Sequence, residues 1–162
     1  MKKIVIINGT GGCGKDTFVE YVAKYIPVTN FSSVDKVKEI TTAIGWNGGK
    51  TERDRKFLSD FKKLTTEYND MAFKSVEEAV RKFRKSNSKI LFIHIREPEE
   101  IKRAVDCFKA LTLLIKREDL ENISSNESDA NVENYNYDFV IMNTTLEELD
   151  VEAQKFIKNI NI

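Results

Sequence analysis

The residues best suited to chemistry stand together in one stretch, "GTGGCGKDT" at 9–17. Gly9, Gly14 and Lys15 satisfy the spacing G-x-x-x-x-G-K, with Gly11, Gly12 and Cys13 inside the loop. Glycines so spaced let the backbone curl until successive N–H groups point inward, which suits phosphate oxygens. A helix starting near Asp16 would add the positive end of its dipole. The Lys15 ammonium would then reach the β and γ phosphates of a nucleoside triphosphate such as ATP. One letter departs from the usual loop. A Ser or Thr normally follows the lysine and ligates the nucleotide's Mg²⁺, whereas here Asp16 follows and Thr17 comes next. Thr17 can offer its hydroxyl to a donor phosphate. For Asp16 two readings stand: a ligand of Mg²⁺, direct or through a water, or a first-turn carboxylate favoured by the helix dipole. Cys13 reads as a small residue at a variable position rather than a redox thiol, because no partner cysteine lies near it.

Such a loop needs a strand before it and a helix after it. "KIVIIN" (3–8) is the strand, and "DTFVEYVAKYI" (16–26) places an apolar face at helical spacing. Four more apolar segments resemble the first: 28–32, 89–95, 112–116 and 138–143. All five run continuously rather than alternating, the pattern of parallel strands covered on both faces. Helical patterns lie between them at 34–44, 51–68, 76–86 and 98–110, with a last helix from 146 to 160. Ser75 with Glu78, and Thr145 with Glu148, read as capping boxes. Pro98 suits a first helical turn. In 51–68 a stripe of Phe57, Leu58, Phe61, Leu64 and Tyr68 reads as an apolar face. Strands alternating with helices predict a three-layer α/β/α fold around a five-stranded parallel sheet with right-handed crossovers. We expect a single domain over 1–162, with a helical insertion at about 45–75. The polar stretch 117–137 reads as a lid over a site or as a linker.

A chain of 162 residues with 41% hydrophobic and 32% charged residues suits one globular core. Its formal net charge of zero argues against a general nucleic-acid or membrane-surface binder. Two cysteines and one histidine give neither a zinc pattern nor a disulfide framework. The apolar runs are too short to cross a bilayer, and the start reads as a first strand rather than a leader. The expectation is a cytoplasmic protein acting on a small molecule, without nucleic acid or membrane. A homodimer is left open.

Among phosphate-loop proteins, a GTPase needs an N-K-x-D motif, and neither candidate strand end ("LIKREDLE", "IMNTTLEE") has one. An ATPase motor needs an acid at a strand end, and the third strand ends "FIHIREPEE", with His94 there. A small kinase remains: a loop for the donor, an insertion gripping the acceptor and a basic lid. "GTGGCGKDT" resembles the "GK-D-T" loops of deoxynucleoside monophosphate kinases and of animal-type phosphomevalonate kinases. "IHIREPEEI" is similar to their "D-V-R" followed by acids, with Arg96 on the Arg. "YDFVIMNTTLEEL" resembles their "D-hydrophobic-N-G-T-L-E-E-L" ending. The chain departs from them at His94, in place of the strand-end Asp, and at "SNESD", which lacks the His of their "H-x-S-E" element. The resemblance implies a nucleoside-monophosphate-kinase-like fold, ATP and Mg²⁺ as cofactors, and transfer of a γ-phosphoryl group to a small phosphate acceptor.

The roles then distribute along the chain. Lys15 binds and polarises the transferred group. Arg96 stands at a strand's carboxyl end, where ligands of parallel sheets gather. Arg117 resembles the lid arginine that neutralises transition-state charge. Asp35 would receive an acceptor hydroxyl or cap its helix. Among Arg53, Arg55 and Lys56, Arg55 is the candidate for the acceptor phosphate, the alternative being a solvated charged face. His94 receives no catalytic role. The acceptor reads as a (deoxy)nucleoside monophosphate. A kinase of a non-nucleotide metabolite, or an inactive nucleotide-binding module, are the alternatives.

Overall fold

A computed structural model describes residues 1–117 and 131–162. Five strands form the sheet: β1 (Lys3–Asn8), β2 (Val28–Ser32), β3 (Ile90–His94), β4 (Leu111–Lys116) and β5 (Phe139–Met142). All pairings are parallel and the order is β2-β3-β1-β4-β5. The helices among the described residues are α1 (Lys15–Ala23), α2 (Asp35–Ala43), α3 (Glu52–Asn69), α4 (Met71–Lys85), α5 (Pro98–Phe108) and α6 (Leu146–Asn159). This is the α/β fold with a five-stranded parallel sheet that the continuous apolar runs predict. The central strands carry those runs fully buried, Val5 to Ile7 and Ile90 to Ile93 all at 0% exposure. The edge strands β2 and β5 are only partly covered, and Val140 is exposed.

Alternate residues of each central strand feed two cores, as the pleat requires. Val5, Ile7, Ile90 and Phe92 pack with α1 and α6, where Phe18 meets Phe156 and Phe92 edge-on at 5.6 and 6.3 Å. Ile6, Leu91 and Ile93 pack with Phe73, Val76, Val80 and Phe83 of α4 and Ile101 and Ala104 of α5. Helices therefore cover both faces.

Two local expectations are corrected. The helix expected after a capping box at Ser75 starts instead at Met71, and Ser75 Oγ donates to the Ala72 carbonyl at 2.6 Å. Asp70 takes a left-handed conformation (φ 58°, ψ 37°), ending α3 and opening α4. Starting there buries Ala72 and Phe73 in line with Val76, Val80 and Phe83. Burying one such aromatic stabilises by roughly 1.5–3 kcal/mol, more than the ~1 kcal/mol of a cap. The second correction concerns α3, which buries none of its residues: Phe57, Leu64 and Tyr68 are exposed. The helix packs on α2 and α4 rather than on the sheet. Its start is secured by Thr51 and Asp54, whose side chains each accept from the other's backbone N–H.

The lid expected at 117–137 falls mostly outside the described residues, as does "SNESD". No helix among the described residues is long and apolar enough to cross a membrane.

Candidate active site at the carboxyl ends of the strands

Because every strand is parallel, all five carboxyl ends open on one edge. Gly9 follows β1, Ser33 follows β2, Ile95 and Arg96 follow β3, Arg117 follows β4 and Asn143 follows β5. The phosphate loop lies between β1 and α1, as the motif requires. Gly9 (φ +150°) carries the chain out of β1 so close to β4 that a Cβ there would strike the Ile115 carbonyl. Gly14 (φ +96°) is the residue before α1, and a Cβ on it would strike the Asn143 amide. Only glycine holds that conformation at no cost. With glycine in the capping position, no side chain serves the first-turn N–H groups of α1. Those N–H groups have no partner within the helix. Together with the dipole they form a site for an anion.

Lys15 stands over this opening. Its Nζ donates to the carbonyls of Gly9 (2.6 Å) and Thr10 (2.9 Å) and lies 3.7 Å from Cys13 Sγ. Cys13 itself is fully buried. Burial, first, pushes its thiol up, and the Lys15 charge opposes that shift. The cysteine thus fills the inside of the loop as a small apolar group. Thr17 is half-buried on the first turn of α1, and Asp16 projects outward, its side chain 80% exposed.

Two buried asparagines brace the loop, and sequence reasoning assigned neither a role. Asn8 closes β1: its Oδ1 accepts from the Gly9 N–H at 2.8 Å, and its Nδ2 donates to the Arg96 carbonyl (3.2 Å) and the Tyr137 hydroxyl (2.8 Å). Tyr137 in turn donates to the Val132 carbonyl. Burial, first, pushes the Tyr137 phenol up to about 12. Asn143 follows β5 and donates to the Cys13 carbonyl at 2.9 Å, while its own N–H donates to the Lys116 carbonyl at 2.7 Å. The signal that could have found them is an Asn directly after an apolar strand, where a polar side chain must be buried among loop backbone groups. Thr145 then caps α6 by accepting from the Glu148 N–H, and the Glu148 carboxylate turns to the Thr144 hydroxyl.

His94 ends β3, paired in register with Ile7, and its side chain is 16% exposed. Its Nε2 lies 2.7 Å from Asn30 Oδ1 and 3.7 Å from Asp16 Oδ1. Burial, first, holds the imidazole below its usual range; Asp16 and Asp35 pull upward, Lys15 and Arg96 downward. The structure so gathers Lys15, Asp16, Asp35, Arg96 and His94 around the end of β3. Asp35 opens α2, and its carboxylate accepts from the Ser32 N–H at 2.9 Å, closing the turn out of β2. Arg96 and Arg117 are exposed at their strand ends. Arg55 stands on the first turn of α3, at the opposite end of that helix from Asp70.

Between the insertion and the sheet edge lies a small cavity of ≈ 60 Å³ lined by Ser33, Thr66, Asp70, Phe73, Glu100 and Arg103 among others. Arg103 grips Asp70 through two hydrogen bonds (3.0 and 2.5 Å) with its guanidinium 3.6 Å from the Phe73 ring centre. Glu100 pairs with Lys62 of α3 at 2.8 Å. These pairs tie the insertion to α5. None of them was foreseen from sequence, because their members lie more than thirty positions apart.

Among the described residues, no cluster of three His, Cys, Asp or Glu side chains could hold a metal alone. Mg²⁺ bound to a nucleotide keeps waters and phosphate oxygens and takes only one or two carboxylates. Asp16 is the exposed carboxylate next to the anion site.

No family model matches the chain, and no curated protein matches it. Solved structures do. A sugar kinase from a Janibacter species superposes with a TM-score of 0.55 at 15% identity, covering 98% of this chain and 95% of its own. Shikimate kinase from Aquifex aeolicus gives 0.52 at 15% identity, covering 97% of each chain. The chain therefore shares its α/β fold, over nearly its whole length, with solved kinases.

Proposed function

We propose that the protein is an ATP- and Mg²⁺-dependent phosphotransferase that moves a γ-phosphoryl group to a small phosphorylated acceptor, a (deoxy)nucleoside monophosphate. One observation carries the reading: the loop 9–17 joins the central strand to α1 with a left-handed Gly14, an uncapped helix start and Lys15 over its mouth. In this reading the loop amides and Thr17 bind the donor phosphates. Lys15 exchanges its loop carbonyls for phosphate oxygens and follows the charge that develops on the transferred group, since phosphoryl transfer asks mainly for positioning and charge stabilisation. Arg96 and Arg117 approach from the ends of β3 and β4 and neutralise the same charge. Asp35 and Arg55 serve the acceptor, with Arg96 shared between the two substrates. Asp16 would hold Mg²⁺, which when bound neutralises the phosphate oxygens as a Lewis acid.

A second reading is a kinase of a non-nucleotide metabolite: His94 and "SNESD" are the places where the chain departs from the nucleotide kinases it resembles, and they bear on the acceptor more than on the donor. A coupled ADP-release screen over nucleoside monophosphates and small phosphorylated or hydroxylated metabolites separates the two. Turnover with a nucleoside monophosphate supports the first reading, turnover only with small metabolites the second. ADP release from none of them overturns both.

A further inference from the structure

We propose that α3 is a self-association face: two copies of this chain pack α3 against α3, antiparallel, with Tyr68 of each seated in the hollow beside Phe57 of the other. The inference goes beyond the phosphotransferase reading and stands without it.

α3 buries none of its 18 residues. Phe57, Phe61, Leu64 and Tyr68 recur along it at spacings of four, three and four. That spacing sets them on one stripe, and it is the spacing of a seam between two helices. The fold leaves most of the stripe in water. Phe61 is half-buried, whereas Phe57, Leu64 and Tyr68 are 39, 64 and 85% exposed. A continuous apolar row rimmed by charges marks an interaction surface.

The two ends of the stripe have complementary shapes. At the start of α3, Ile44, Trp46, Asn47, Arg53, Asp54 and Phe57 line a hollow of ≈ 350 Å³. At the other end Tyr68 projects. Phe57 and Tyr68 stand eleven residues apart, roughly 16 Å along the axis. An antiparallel second copy centred between them brings its Tyr68 level with the hollow, and two-fold symmetry repeats the contact at the far end. Tyrosine suits that place, with a large apolar ring and a hydroxyl that stays wet.

Charge selects the second copy and its direction. Along the solvent flank of the stripe run Lys56, Asp60, Lys63 and Glu67, alternating in sign and all exposed. A two-fold axis across the middle of the helix lays this row against its own reverse. Lys56 then comes level with the partner's Glu67, and Asp60 with the partner's Lys63, each pair made twice. This is the register that brings Tyr68 to the hollow. A parallel copy would set the row against Leu58 and Thr65 on the other flank, which carry no charge. Lys56 and Asp60 already pair within α3 at 2.6 Å, but both are exposed and can turn to a partner. Rim pairs of this kind add little energy; they fix partner and register.

Sedimentation velocity of the full chain reads the association directly, and thermal melting alongside shows that each variant is folded. The wild type should pass from monomer to dimer as its concentration rises to about 100 μM. Leu64→Glu and Tyr68→Ala, both changes of exposed side chains, should each weaken the dimer by about ten-fold or more. Asp60→Lys should weaken it as well, because like charges then face each other across the axis. Adding Lys63→Asp to Asp60→Lys restores opposite signs and should recover the dimer. A wild type that stays monomeric at about 100 μM overturns the inference. So does a dimer that folded Leu64→Glu and Tyr68→Ala leave intact, which would use another face. A charge swap that recovers nothing overturns the antiparallel register.

Discussion

Asn143→Ala probes how the end of β5 supports the phosphate loop. The wild-type amide is 8% exposed and donates to the Cys13 carbonyl at 2.9 Å, across 130 residues of chain. Alanine removes the donor and leaves the Cys13 carbonyl without that partner. A buried group so orphaned costs about 1–3 kcal/mol. For a chain of this size each kcal/mol lowers the melting temperature by about 2–4 °C, so a fall of roughly 2–12 °C is expected. The loop then samples open forms, and apparent ATP affinity drops in proportion to the braced fraction that is lost. A loss of 1 kcal/mol at the loop corresponds to about five-fold weaker binding. Asn143→Asp should be worse, since a carboxylate faces the Cys13 carbonyl and adds negative charge beside the phosphates. Thermal melting and calorimetric titration with ATP read both effects. An alanine variant that melts with the wild type and binds ATP equally well would refute the bracing role.

Gly14→Ala forces a Cβ into a left-handed conformation and against the Asn143 amide, so ATP titration should show binding lost or weakened more than by Asn143→Ala. Phe18→Ala empties the centre of the α1–α6 core, where the ring is fully buried against Phe92 and Phe156; urea unfolding should register a loss of about 3–5 kcal/mol. Alkylation by iodoacetamide, mapped by mass spectrometry, should label exposed Cys107 well before Cys13, whose thiol is buried and pushed up in pKa.

The sheet was legible because a strand covered on both faces must be apolar throughout, and "IVII" and "ILFI" say so directly. The loop was legible because its conformation demands glycine at 9 and 14 and its ligand demands a lysine beside them. The start of α4 was not, because Ser75 and Glu78 offer a sound local cap that burial of Phe73 overrides. Nor was the exposure of α3, since a row of Phe57, Leu64 and Tyr68 looks the same whether it faces a core or water. The supports of the site escaped for another reason. Asn8, Asn143, Asn30 and the Arg103–Asp70 pair act between distant positions, and a single sequence carries no spacing rule for such contacts.

The most direct measurement compares the wild type with Lys15→Ala in coupled ADP release, with ATP, Mg²⁺ and a panel of nucleoside monophosphates. Thermal melting of both proteins is measured alongside, so that loss of transfer is read on folded protein. Acceptor-dependent ADP release should appear with the wild type and vanish with Lys15→Ala. Equal release from both proteins, or ATP binding by the wild type without transfer to any acceptor, would contradict the assignment of a phosphotransferase and leave a nucleotide-binding module in its place.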